Sequence, residues 1–346
     1  MKLAINANEA NVKHRVGINQ LAYELLKKLI ISNLQCTIYL QDPPLPDMPK
    51  ANYEVFGPKK LWTLTGLQKK LLVDPPDVLF SLTHYTPLYV PCKSVICIMD
   101  LAFEKFPQFF KKSDLYQLKY WSRYSASQAN HIITISENSK KDIVEIYKVK
   151  PEKITVVYPG YDKTRFSTNV KPNKKYGDYL FFLGTLQPRK NIERLIEAFK
   201  LLKTDCKLVI TGMRNEGRGG WMNENIKSAK NIILTGYLPD DEIPGLMAGA
   251  KAYVLPSLYE GFGIPAIEAM AVGTPVLVSR VSSLPEICGE AATYIEDPYS
   301  VESIRSALAE VLTNGPKKVK LGLGQVIRYN WDETAKKIIK VLGSSD

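Results

Sequence analysis

Two glutamates, Glu260 and Glu268, stand eight positions apart in LYEGFGIPAIE (258 to 268), and the residues between them include two glycines, a phenylalanine and a proline but no charge. The preceding AYVLPS reads as a strand ending at Pro256, and Pro265 suits the first position of a helix, where its missing N–H is not needed. Glu260 then falls in the connecting loop and Glu268 in the first helical turn, with the helix running through AIEAMA to a stop at Gly273 and Pro275. The free backbone N–H groups of Gly261, Phe262, Gly263 and Ile264, together with the positive helix end, suit an anion such as phosphate. The glycines let that backbone come close to a ligand. Ionised carboxylates only accept hydrogen bonds, so the flanking pair suits neighbouring hydroxyl donors, which sugars supply in adjacent pairs. The bracket fits a ligand made of a sugar, a phosphate and another sugar in a row. The plainer alternative has Glu268 complementing the helix dipole and Glu260 in solvent.

A second charged group sits in QPRKN, where Arg189 and Lys190 fall between a strand, DYLFFLG, and a helix, NIERLIEAFKLL. A guanidinium fork beside a point charge there suits two phosphates; a solvated basic turn is the alternative. No D-x-D occurs, so the obvious carboxylate pair for a divalent metal is missing and no metal site is expected. KLVITGMRNEGRGGW gives Gly212 and Gly217 the spacing of a phosphate loop, but Arg218 and Gly219 replace the required Lys and Ser/Thr, which excludes an ATPase of that type.

The elements that must position these groups follow from the apolar pattern. Short runs (LAINA, CTIYL, DVLFSL, SVICIM, HIITIS) alternate with helices such as GINQLAYELLKKLI, and the alternation restarts after the Lys-, Pro- and Gly-rich stretch TNVKPNKKYGD (168 to 178). This predicts α/β architecture with two doubly wound Rossmann-like domains, 1–170 and 171–330, facing a central cleft, and a final helix in 331–346 that packs on either domain. A length of 346 residues suits two domains of roughly 150 to 180 residues.

Composition narrows the setting. The start lacks the apolar core of a signal peptide, and no run approaches the ~20 apolar residues of a membrane span. Five scattered cysteines and three histidines predict reduced thiols, a cytoplasmic location and no structural zinc. Of the net charge of +11, residues 1–170 carry +8 (23 Lys/Arg against 15 Asp/Glu), a bias toward phosphates, anionic lipid or nucleic acid. No nucleic-acid motif accompanies it, and such binding would leave the carboxylate bracket unexplained. In SDLYQLKYWSRYSASQA, Tyr116, Tyr120 and Tyr124 recur at helical spacing among Lys111, Lys112, Lys119 and Arg123. Packing on the first sheet is the preferred reading of that stripe, and rest on a membrane surface the other.

The second half resembles the nucleotide-binding domain of retaining glycosyltransferases of family four, which have the GT-B fold and a Glu-x7-Glu motif. The similar segments run in order through FFLGTLQPRKNIERLIEAF (181 to 199), LVITG (208 to 212), residues 231 to 279 and SLPEICGEAATYIEDP (283 to 298), with looser matches in VGINQLAYELL and TISENSKKDI. The resemblance implies a hexosyltransferase using a GDP- or UDP-linked sugar, mannose or glucose, and a glycan or lipid-linked acceptor in cell-surface polysaccharide synthesis. It needs no cofactor, and peripheral contact with the inner membrane face would go through the basic first domain. Glu268 would hold the ribose hydroxyls, Glu260 with the Phe262 to Ile264 backbone the hexose, Arg189 and Lys190 the diphosphate, and the Gly236, Tyr237 and Leu238 backbone the base. Gly17, with Arg15 beside it, stands at the family's glycine loop. Where relatives have a His-Asp pair, this chain has Met99 and Asp100, with His84 a possible substitute. That departure keeps open a non-catalytic nucleotide-sugar-binding protein; a sugar-nucleotide epimerase on the same fold is a further alternative.

Overall fold

The computed structural model describes residues 1–15, 17–32, 34–212 and 231–343, which divide into two compact units. The first comprises Met1–Glu104, Ser113–Gly160 and Asn330–Asp346; the second comprises Lys105–Lys112 and Tyr161–Tyr329.

Each unit is built on one parallel sheet. In the first, the strands are β1 (Leu3–Asn6), β2 (Thr37–Leu40), β3 (Asn52–Val55), β4 (Val78–Ser81), β5 (Lys93–Cys97), β6 (His131–Thr134) and β7 (Ile154–Val156), in the order β3-β2-β1-β4-β5-β6-β7. In the second they are β8 (Tyr179–Leu183), β9 (Lys207–Thr211), β10 (Ile232–Gly236), β11 (Ala252–Leu255), β12 (Val276–Ser279) and β13 (Ala292–Ile295), in the order β10-β9-β8-β11-β12-β13. Central strands such as β4 and β11 are buried along their whole length. That is the consequence of helices covering both faces, and it is why they read as unbroken apolar runs.

In both sheets the strand order reverses beside the first strand, between β1 and β4 and between β8 and β11. In open sheets of this kind ligands bind outside the carboxyl ends of the strands at that reversal. The segments leaving β8 and β11 carry Arg189, Lys190 and Glu260.

The chain leaves the first unit after Gly160, eight positions before the linker-like stretch begins at Thr168. That stretch is tied into the second unit: the Asn173 N–H donates to Gly245 O (2.8 Å) and the Tyr179 hydroxyl to Asn173 O (2.8 Å). A Cβ at Gly160 would lie 2.4 Å from the backbone nitrogen of Trp331, so only glycine allows the outgoing and returning chain to meet there. The last helix, Trp331–Gly343, packs in the first unit, where Asp332 pairs with Lys28 at 2.9 Å.

The tyrosine stripe is only partly used for packing. In the helix Lys112–Gln128, Trp121 donates to Thr86 O (2.8 Å) and Tyr124 to Leu88 O (2.5 Å), but Tyr116 and Tyr120 stay 68% and 63% exposed. The preferred expectation of a stripe packed on the sheet is corrected for those two residues, which lie on the solvent side of the helix.

Candidate functional site in the second unit

The residues at the β8–β11 reversal converge. Lys190 Nζ lies 2.5 Å from Glu260 Oε1, and Arg189 lies 3.3 Å from Glu260 Oε2. Ser257 donates to the same carboxylate at 2.6 Å. Burial alone would push the Glu260 pKa up, but the charges of Lys190 and Arg189 and the hydrogen bonds from Lys190 and Ser257 outweigh it and hold the pKa at about 2. Glu260 is thus ionised, 6% exposed and fully engaged. The solvated-glutamate and solvated-turn alternatives do not describe these residues.

Several residues that the local sequence does not single out build this arrangement. Asn191 follows the two cations with φ 61, a left-handed conformation that asparagine tolerates better than most side chains. Its buried amide donates to Pro256 O (3.1 Å) and Pro298 O (2.6 Å), tying together the segments that leave β8, β11 and β13. Gln187 accepts from Arg189 Nε at 3.1 Å. The Glu260 N–H donates to Ser282 Oγ (2.9 Å), and Ser283 donates to the carbonyls of Glu260 (2.9 Å) and Phe262 (3.2 Å). The only local hint was a pair of serines just before Leu284-Pro285, a helix-start pattern.

The helix after Glu260 runs Ile264–Ala271 with Gly263 as its cap, so Pro265 is its second residue and Glu268 its fifth. Glu268 is therefore one turn in rather than in the first turn, and the dipole alternative loses most of its force, since that field fades within the first turn. Helical side chains tilt toward the N-terminus, so the carboxylate reaches back toward the Gly263 end. Gly263 has φ 105, and a Cβ there would come 2.9 Å from Leu284 Cδ2. Among the described residues, no hydrogen bond takes up the N–H of Gly261, Gly263 or Ile264. Phe262 is buried against the Tyr329 ring (centroids 5.5 Å apart).

Glu268 contrasts with Glu260. No hydrogen bond or ion pair engages its carboxylate among the described residues. Burial pushes its pKa up to about 7, Arg165 opposes that shift, and Asp162 and Asp240 add to it. Arg165 in turn donates to the Asp240 carbonyl. Nearby, Gly236 (φ 70) accepts the Gly212 N–H at 3.0 Å, Tyr237 is 62% exposed and Leu238 is half-buried. A Cβ at Gly212 would lie 1.8 Å from Gly184 O, so the backbones leaving β8 and β9 touch directly. The phosphate-loop-like Gly217, Arg218 and Gly219 lie outside the described residues.

Residues 162–323 match the model for "Glycosyl transferases group 1", and residues 17–165 match that for "Glycosyltransferase Family 4". The chain is a GT-B glycosyltransferase of the family-four group. It is 28% identical over 274 residues to the O-antigen chain mannosyltransferase B of Escherichia coli, covering 72% of this chain and 70% of that one. It is also 28% identical to the MMP alpha-(1->4)-mannosyltransferase of Mycolicibacterium hassiacum, over 62% of this chain and 54% of that one. The fold of the Anabaena protein HepE, solved in complex with UDP-glucose, superposes with a TM-score of 0.76 at 16% identity over 99% of both chains.

The remaining candidates of this glycosyltransferase lie in the first unit. Gly17 caps the helix Ile18–Ile31 with φ 54. Arg15 beside it is committed elsewhere: it makes a two-pronged pair with Asp47, donates to Ala10 O (2.7 Å) and stacks over Tyr23. Asp100 accepts the Ala102 N–H at 3.0 Å, opening the short helix Ala102–Lys105. Met99 is a core residue, 4% exposed. His84 keeps a buried Nε2 without a partner, and burial lowers its pKa to about 4, so the ring is neutral. Among the described residues no cluster of three or more His, Cys, Asp or Glu could hold a metal ion, and no helix is long and apolar enough to cross a membrane.

Proposed function

We propose that this glycosyltransferase moves a hexose, mannose before glucose, from a GDP- or UDP-linked donor to an acceptor hydroxyl in polysaccharide synthesis, with retention at the anomeric carbon and without a metal. The observation that carries the reading is the pairing of two cations with a buried carboxylate at the β8–β11 reversal, beside a second carboxylate that no hydrogen bond or ion pair engages among the described residues. The mannosyltransferase named above and the UDP-glucose held by a protein of the same fold support it.

On this reading Glu268 accepts the ribose hydroxyls, the Gly236 to Leu238 backbone meets the base, and Glu260 with the Phe262 to Ile264 backbone grips the hexose. Arg189 and Lys190 face the diphosphate, whose charge grows as the bond from the anomeric carbon to the phosphate oxygen breaks. The acceptor oxygen forms its bond on the same face, and its proton passes to the leaving diphosphate. Stabilisation increases where charge develops, which is what fixed cations in a dry site supply. Each charge-assisted hydrogen bond contributes roughly 1.5 to 3 kcal/mol, so loss of one slows transfer about ten- to a hundredfold. Exposed Tyr116 and Tyr120 support peripheral contact with the cytoplasmic membrane face, where a lipid-linked acceptor would reside.

Buried Met99 favours one second reading, a nucleotide-sugar-binding protein without transfer. Calorimetric titration of wild type and Glu268→Ala with GDP, UDP and ADP and their mannose and glucose conjugates tests the donor site. One base should bind, and the variant should lose about 2 kcal/mol; no binding at millimolar ligand defeats the enzyme reading. Transfer of radiolabelled mannose to a membrane extract separates it from the second reading.

A further inference from the structure

The segment that carries Arg189 also lines a pocket of about 320 Å³, entirely within the second unit and mostly apolar. Phe109 and Tyr299 supply aromatic wall, and Gln187, Glu193 and Arg194 supply the polar groups around it. Tyr299 is 55% exposed, yet it is not loose. Arg194 lies over its face at 5.5 Å and is itself held by Asn191 Oδ1 at 3.0 Å. Glu193 is exposed, and no hydrogen bond or ion pair engages it among the described residues.

We propose that this pocket is a carbohydrate subsite that holds a sugar of the glycan away from the reacting hydroxyl. A sugar ring is apolar on its C–H faces and polar around its edge. A fixed aromatic platform meets the face, and an open carboxylate with a neighbouring guanidinium and amide meets vicinal hydroxyls at the edge. Holding the ring in place beforehand lowers the ordering cost of binding. A lipid tail would gain nothing from Glu193, and a phosphate would be repelled by it.

The pocket also touches the reacting groups by two routes. Gln187 lines it and accepts from Arg189. Phe109 stacks on Phe106 (5.7 Å), which meets Tyr259 (6.0 Å), the residue whose carbonyl accepts from Arg189 at 3.2 Å. An occupied pocket thus stiffens the segment that carries the cation.

The proposal rests on the glycan-transfer reading, so the test measures both in one sample. The full-length protein is titrated with α-linked mannotrioses by calorimetry and saturation-transfer NMR, with the nucleotide sugar as a second ligand. The expected result is trisaccharide binding with Kd of about 1 mM. It should weaken at least tenfold in Tyr299→Ala and clearly in Glu193→Gln, while nucleotide-sugar affinity and thermal stability stay at wild-type values. Both substituted side chains are exposed, so folding is not at stake. Trisaccharide binding unchanged in both variants overturns the proposal. So does absence of trisaccharide binding at ~10 mM while the nucleotide sugar still binds, a result that leaves the donor reading intact. Failure of both ligands overturns the two together.

Discussion

Lys190 Nζ and Glu260 Oε1 lie 2.5 Å apart, with both side chains largely buried, although seventy positions separate them in the chain. The carboxylate expected to grip a sugar and the cation expected to face a phosphate form one unit. On the proposed reading, donor binding shares Lys190 and Arg189 between an internal anion and an incoming one. This keeps the cations fixed and limits how tightly free diphosphate is retained after transfer.

Coupling between the two is measurable by a double-mutant cycle. Lys190→Met leaves a buried carboxylate with Arg189 and the Ser257 hydroxyl and should cost about 2 to 3 kcal/mol, less than the 3 to 5 typical of a fully orphaned charge. Glu260→Gln leaves the cations without their anion and should also destabilise. The double variant should recover about 1 to 2 kcal/mol relative to the sum of the singles in urea unfolding while remaining inactive. Additive losses would show that the pair is not coupled.

The half-buried Glu268 gives the ligand-free protein a pH signature. Its folded pKa, about 7, lies above the ordinary glutamate value of 4.5, so its contribution to stability is fully present below about 4.5 and is lost as pH rises through about 7. Glu268→Gln removes that loss. The variant should be more stable than wild type at pH 8, by less than about 3 kcal/mol at 1.36 kcal/mol per unit, with the difference vanishing toward pH 4.5. Paired thermal melts across this range check the sign, and a variant less stable at pH 8 would contradict it.

Donor affinity should run the other way. If ribose hydroxyls donate to the ionised Glu268 carboxylate, as proposed, nucleotide-sugar binding should tighten as pH rises through about 7, by about tenfold. A diphosphate sugar is the proper probe because it has no terminal phosphate titrating in that window. Calorimetry of wild type should show the slope and Glu268→Gln a flat profile; equal slopes would remove Glu268 from the site.

Asn191 is expected to be the most sensitive position outside the charged cluster. Asn191→Ala places a Cβ-only side chain at φ 61 and removes the bonds to Pro256 and Pro298, so it should cost about 2 to 4 kcal/mol. Asn191→Gly keeps the conformation and should cost about half as much, and both should lower kcat as the segments bearing Arg189 and Glu260 separate. Denaturant unfolding with steady-state kinetics distinguishes the two contributions; an alanine variant of wild-type stability would refute the clamp.

The amino-acid sequence by itself determined the two parallel α/β sheets, because strands covered on both faces must be apolar throughout and the helices between them must be amphipathic. It also marked Glu260, Glu268 and the intervening glycines, since a strand exit, a tight backbone and a helix start are local features with local signatures. Tertiary structure decided the rest. Pairing of β8 with β11 is a long-range event that no local periodicity encodes, yet it alone brings Arg189 and Lys190 to Glu260. The same holds for Asn191, whose role depends on carbonyls 65 and 107 positions away. Two glutamates alike in sequence end with opposite ionisation tendencies because charge states follow burial and neighbouring charges in space: cations surround Glu260, whereas Glu268 has a single arginine opposed by two aspartates.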